Sequence, residues 1–368
     1  MAAGVLASGR IPAVSRTKLQ RGRGAISNAT PRFEKEVRCR DGEGFALAED
    51  APPLRTEVMR EEAKTIITRN NSPDISFDRS INPYRGCEHG CVYCFARPTH
   101  AFLGLSPGLD FETKLVAKSN AARLLEQELS APGYVPKTIA IGTNTDPYQP
   151  IERKELVMRG VLEVLARTNH PVGIVTKSAL ILRDLDLLAP MAEKGLVKVA
   201  LSVTTLDPAL ARKMEPRASA PGRRLETIRR LAEAKIPAAV MVAPIIPAIN
   251  DSEIEAILMR AQAMGAQEAG YVLLRLPLEV RELFTEWLEV HFPDGLKHVL
   301  SLMRSARDGK LYDARFGARM AGSGPYAWML GRRFEAAAAR LGLSRNRVKL
   351  RCDLFRPPAR PGEQLRLF

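Results

Sequence analysis

The stretch Cys87-Glu88-His89-Gly90-Cys91-Val92-Tyr93-Cys94 puts three cysteines into eight positions. Thiolates are soft ligands suited to zinc or to an iron–sulfur cluster, and spacings of four and three let one loop wrap three corners of a single centre. A cubane cluster on these cysteines would keep one iron without a protein ligand, open to a substrate or cofactor. The same residues also allow a structural zinc site completed by His89, His100 or a distant cysteine. The other two cysteines, Cys39 and Cys352, are too few for a second cubane cluster. An odd total with three members so closely spaced makes a poor disulfide framework and points to a reducing compartment.

Working outward, short apolar, β-branched runs alternate with segments of helical period. The runs predict strands at Ile75–Ile81, Thr138–Gly142, Val172–Thr176, Val197–Val203, Ala238–Ala243 and Tyr271–Leu276. Helical spacing appears between them at Lys118–Leu129, Glu152–Arg167, Leu185–Lys194, Arg223–Lys235 and Ser252–Met264. The fold class is therefore α/β, with about six βα units forming a parallel sheet covered by helices, either open and doubly wound or a partial barrel. Both place chemistry at the carboxyl ends of the strands, and the cysteines follow the first of these. After Pro277 the pattern turns helical, at Val280–Val290, Leu296–Arg307 and Tyr326–Leu341. The expected organisation is a basic, largely disordered tail and lead-in over residues 1–64, a barrel over 65–278 and a helical, basic C-terminal extension over 279–368. Arg21-Gly22-Arg23-Gly24 belongs to the tail in this reading, because it shows no apolar periodicity.

The wider run Ser80-Ile-Asn-Pro-Tyr-Arg-Gly-Cys-Glu-His-Gly-Cys-Val-Tyr-Cys-Phe-Ala-Arg97 resembles the radical S-adenosylmethionine (radical SAM) superfamily, in the branch related to spore photoproduct lyase. The resemblance implies a partial (βα)6 barrel with one [4Fe-4S] cluster on Cys87, Cys91 and Cys94, and S-adenosylmethionine chelated at the fourth iron. It further implies reductive cleavage to methionine and a 5′-deoxyadenosyl radical that abstracts a hydrogen atom, with electrons from a protein such as flavodoxin or ferredoxin. By the same resemblance Tyr93 backs the cluster, and Thr143, Asn144 and Asp146 meet the methionine amino group. Lys177 and Arg217 would meet its carboxylate, and Ser202 the carboxylate or ribose. Arg275 would point to the mouth and hold substrate, while Arg223 and Arg224 read as surface charge. Neither Cys39 nor Cys352 matches the hydrogen-donor cysteine of the lyase, so reversal of a thymine photoproduct is not implied.

Charge adds a statement about partners. The 368 residues carry 55 Lys+Arg and 41 Asp+Glu, a net +14, yet residues 1–40 contribute +7 and 301–368 contribute +10, leaving −3 in the middle. Basic ends suit a polyanion, and the expected substrate is a nucleic acid, in DNA repair or RNA modification. The alternatives are a non-catalytic zinc protein that binds nucleic acid, and a radical SAM enzyme acting on a peptide or small molecule. Gln364-Leu-Arg-Leu-Phe368 resembles the peptide by which repair proteins dock on the sliding clamp. The longest apolar stretch, Ala238 to Ile249, contains two prolines and is too short to cross a bilayer, and the first residues lack the order of a secretory signal. A cytoplasmic protein with no membrane partner is expected.

Overall fold

The computed structural model describes residues 20–35, 54–343 and 348–358. Six parallel strands form the barrel: β1 (Arg79–Ile81), β2 (Ile139–Ile141), β3 (Val172–Thr176), β4 (Val197–Ser202), β5 (Ala238–Ile245) and β6 (Glu268–Leu273). They pair in sequence order, and the antiparallel strand Ile67–Arg69 closes the edge beside β1. Helices α1 (Ala121–Leu129), α2 (Val157–Arg167), α3 (Leu185–Glu193), α4 (Pro221–Glu233) and α5 (Ile254–Ala263) cover the outside. Alternation along the strands separates two faces. Val172, Ile174, Val199, Leu201, Val240 and Val242 join the helices in one apolar core. The opposite parity includes Ala140, Gly173, Ala200 and Ala239, with Ala140 in register with Gly173 and Ala200 with Ala239. Small side chains there leave room inside the barrel.

Several boundaries differ from expectation for local reasons. The first strand is shorter because residues 70–78 form a loop closed by Asn70 N–H donating to Asp78 O (2.8 Å). The predicted helix over Glu152–Arg167 breaks at Leu156, in the left-handed region at φ 53°, because the Glu152 carboxylate caps α2 through the N–H groups of Met158 (3.0 Å) and Arg159 (3.2 Å). A small sheet absent from the sequence reading joins Glu57–Glu61, Lys114–Lys118 and Tyr84–Arg85. Residues 54–64 thus belong to the fold and not to a tail.

The C-terminal helices α6 (Val280–His291), α7 (Leu296–Ser305) and α8 (Pro325–Arg340) follow, and α8 packs on α5 and β6. The chain then crosses the floor of the barrel. Val348 O accepts from Lys198 Nζ (3.4 Å), while Arg351 and Arg356 N–H donate to Gly195 O and Thr168 O, each at 2.9 Å. The described part of this segment is therefore tied to the amino ends of β3 and β4, away from the mouth formed by the carboxyl ends of the strands. No helix among the described residues is long and apolar enough to cross a membrane.

Candidate active site at the barrel mouth

The cysteine loop is held from outside by a buried polar hub. Arg97, fully buried, donates to Cys91 O (2.9 Å), Pro107 O (3.0 Å) and Gly108 O (2.9 Å) and to the Glu112 carboxylate (2.5 Å). Glu112 in turn accepts from the N–H groups of Gly24 (2.9 Å) and Ala25 (2.8 Å). Arg23 donates to Glu112 O (2.9 Å), Leu54 O (2.7 Å) and Thr56 Oγ1 (3.1 Å). The Arg21–Gly24 stretch is therefore a wedge against the cysteine loop, contrary to its reading as a disordered tail. It enters because Gly24 lies so close that a side-chain carbon there would collide with Gly90 O, and Gly90 itself turns at φ +69°. Residues 1–19 and 36–53, with Cys39, lie outside the described residues.

Inside the loop, Cys87 and Cys91 are buried and Cys94 is partly exposed. Burial raises the thiol pKa of Cys87, reinforced by Asp146 and by the neighbouring cysteines. Burial likewise raises Cys91, with Lys177 opposing. Three thiols that feel one another in this way fit a cationic iron–sulfur centre, which would draw off their protons. The histidines offered for a zinc site each commit one ring nitrogen to another group, while His100 Nδ1 is buried without a hydrogen-bond partner among the described residues. His89 Nδ1 lies 3.4 Å from Asp146 Oδ2, and His100 Nε2 bonds Lys114 O (2.9 Å). Cys352 lies on the floor beside Phe355, whose N–H it accepts. Three free thiols on one loop are the donor set of a three-cysteine cluster with an open corner.

The other expected residues divide into two sets. Lys177 points its ammonium at the Tyr93 ring, 5.9 Å from the centroid, and no salt bridge engages it among the described residues. Thr143 and Asn144 lie half-buried just past β2, with Asn144 N–H on Asn82 Oδ1 (3.0 Å). Tyr93 is buried, and its hydroxyl donates to Glu215. Tyr93 is thus part of the cysteine loop with Lys177 beside it, and Thr143 and Asn144 stand at the carboxyl end of β2.

Asp146, Ser202 and Arg217 have partners within the protein itself. Asp146 accepts from Thr176 Oγ1 (2.7 Å), Lys177 N–H (2.7 Å) and Tyr148 N–H (2.9 Å). Burial opposes its charge, but His89 and these hydrogen bonds outweigh that and hold its pKa down to about 2. Ser202 Oγ donates to Ala243 O (2.9 Å), tying β4 to β5. Arg217 already has a carboxylate, since Nη2 donates to Glu88 Oε1 (2.7 Å). Arg224, expected at the surface, is buried against Glu215 and donates from Nη1 to Ser202 O (2.9 Å). Burial raises the pKa of Glu215 and Arg224 opposes the rise, so this pair fixes the Tyr93 hydroxyl. Charge spacing alone did not reveal it, because Glu215 and Arg224 meet only across the turn before α4.

Comparison with known proteins places this architecture. The model of the radical SAM superfamily matches residues 81–261. An uncharacterized protein of Mycobacterium tuberculosis is 39% identical over 236 residues, covering 64% of this chain and 69% of that protein. Another, from Methanocaldococcus jannaschii, is 25% identical over 241 residues, covering 66% and 86%. The solved spore photoproduct lyase complexed with dinucleoside spore photoproduct shares the fold at a TM-score of 0.54, with 15% identity over 77% of this chain and 79% of that one. With three cysteines on the loop after β1 and the superfamily's sequence pattern running through β5, this chain belongs to the radical SAM superfamily, whose enzymes use a [4Fe-4S] cluster and S-adenosylmethionine.

Proposed function

We propose that this radical SAM enzyme acts on nucleic acid, in DNA repair or RNA modification. The observation that carries the reading is Phe95. It directly follows Cys94, is 41% exposed, and has the Arg275 guanidinium 4.7 Å over its ring. An exposed aromatic face paired with arginine beside the reactive centre suits an unstacked base, which radical chemistry must reach at contact distance. Two further exposed aromatics carry arginine in the same way, Phe102 beneath Arg32 at 5.2 Å and Phe316 beneath Arg319 at 4.6 Å. The fold neighbour solved with a dinucleoside photoproduct is in keeping with such a substrate.

In this reading Cys87, Cys91 and Cys94 hold the cluster, Lys177 offers its charge to the methionine carboxylate, and Thr143 and Asn144 face the amino group. The bound cofactors supply one-electron cleavage of the sulfonium and a radical that takes a hydrogen atom from substrate. Asp146 orients Lys177 through its backbone N–H, and Glu215 and Arg224 fix Tyr93. Electrons would come from flavodoxin or ferredoxin. Docking on a sliding clamp through Gln364–Phe368 falls outside the described residues and would be tested by pull-down after truncating Leu367 and Phe368.

Anaerobic reconstitution tests the chemistry: iron–sulfur absorbance and 5′-deoxyadenosine release on reduction are expected, both abolished in Cys91→Ala. Untargeted nucleoside analysis of cells with and without the gene tests the substrate. A nucleoside pool that does not differ, together with no salt-sensitive binding to DNA or RNA, would sink the nucleic-acid reading.

A further inference from the structure

Arg307, two residues beyond α7, is fully buried, yet its guanidinium makes one hydrogen bond, from Nη2 to Leu274 O (2.5 Å). Its Nε and Nη1 are buried with no partner among the described residues. Arg275 repeats the pattern. Its Nε is buried and unpartnered, and its polar contact is a long one, Nη1 to Met320 Sδ at 3.6 Å. The two guanidiniums lie close enough to repel. Burial first, and Arg275 second, push the Arg307 pKa down to about 10. Asp313 attracts Arg307 and Asp74 attracts Arg275 from a distance, but neither bonds them, because Asp313 is held by Arg315 (Nε, 2.9 Å) and Asp74 by Arg319 and by Gly317 N–H (2.6 Å). A buried guanidinium without an anion is strongly unfavourable, and arginine keeps its proton even so. Such an arrangement persists where the missing anion is a ligand.

We propose that Arg275 and Arg307 form a phosphate-binding site of the substrate pocket, receiving the phosphate of a nucleotide whose base lies on Phe95. The assignment rests on the nucleic-acid reading above and extends it from the base to the backbone. Three unpartnered nitrogens, Arg275 Nε with Arg307 Nε and Nη1, suit an anion with several oxygens, whereas Lys177, beside Tyr93, is left for the single carboxylate of S-adenosylmethionine. Arg275 touches both the ring and the anion position, so it couples base stacking to phosphate capture. The phosphate can come from a strand or from a free nucleotide.

The test uses the full-length reconstituted protein, a fluorescein-labelled single-stranded oligothymidine, thymidine monophosphate and inorganic phosphate. Arg275→Gln and Arg307→Gln are each expected to weaken oligonucleotide binding about tenfold or more, the loss typical of a charge-assisted hydrogen bond. Arg307→Met should melt at or above the wild-type temperature, which removal of a merely structural guanidinium would not allow, and phosphate should raise the wild-type melting temperature but not that of this variant. Equal oligonucleotide binding by wild type and folded Arg307→Gln would overturn the site and leave the nucleic-acid reading standing. Stabilisation by phosphate and thymidine monophosphate without oligonucleotide binding would uphold the site, name a free nucleotide as its source, and remove the nucleic-acid reading. Loss of S-adenosylmethionine binding in step with the oligonucleotide would assign the arginines to the cofactor and overturn the proposal.

Discussion

On the cysteine-loop side of the mouth, Arg97 and Arg224 each meet a buried carboxylate, Glu112 and Glu215. Next to Phe95, at the end of β6 and the turn after α7, Arg275 and Arg307 have no salt bridge among the described residues and keep donors unused. The first pair is complete in the protein alone, so it can hold a loop rigid whether or not anything is bound. The second is incomplete, which costs stability in the free protein and supplies attraction when an anion arrives. The floor shows a third solution. His170, fully buried, donates from Nδ1 to Pro171 O (3.1 Å) and accepts the Tyr134 hydroxyl at Nε2 (2.8 Å), and burial lowers its pKa to about 4. Histidine escapes an unpaired charge by shedding its proton, a route closed to arginine.

The comparison breaks most visibly at Glu112. Glu112→Ala leaves Arg97 charged and unpaired and orphans the N–H groups of Gly24 and Ala25. We expect a loss of about 3–5 kcal/mol, read by urea unfolding, and a fall in bound iron. A loss near zero would show that the hub does not hold the loop. His170 comes next. Its native pKa lies below the unfolded value near 6.5, so its contribution is complete above that pH and is lost as pH falls toward about 4. Stability should drop by up to about 3 kcal/mol across that window, and in His170→Phe the drop over the same window should shrink. The smallest effect is expected at Arg307, where Arg307→Met should change the unfolding free energy by less than about 1 kcal/mol or raise it. A loss as large as that of Glu112→Ala would erase the distinction between the two pairs.

The βα rhythm was readable because parallel strands covered by helices must run apolar, and Val172–Thr176 and Val197–Ser202 lie where their residues indicate. The three-stranded sheet was not, since the two residues Tyr84–Arg85 and the polar strand Glu57–Glu61 carry no burial pattern of their own. Arg21–Gly24 has the composition of a linker, and nothing local announces that its glycine is needed for close approach to Gly90. Lys177, Thr143 and Asn144 were found because strand ends collect at one mouth. Asp146 and Ser202 stand at strand ends too, and Arg217 in the turn before α4; the partners they have within the protein were not legible, because a polar group in such a place serves a neighbour as readily as a ligand.

The sequence by itself determined the α/β architecture, the loop that would carry a cluster and the superfamily, since each rests on spacing along the chain. Tertiary structure alone decided which charges are satisfied. Glu112 receives Gly24 and Arg97, and Arg307 receives one carbonyl and no carboxylate. Pairing of buried charge depends on distances between residues far apart in sequence, and the net charge of +14 carries no record of those distances.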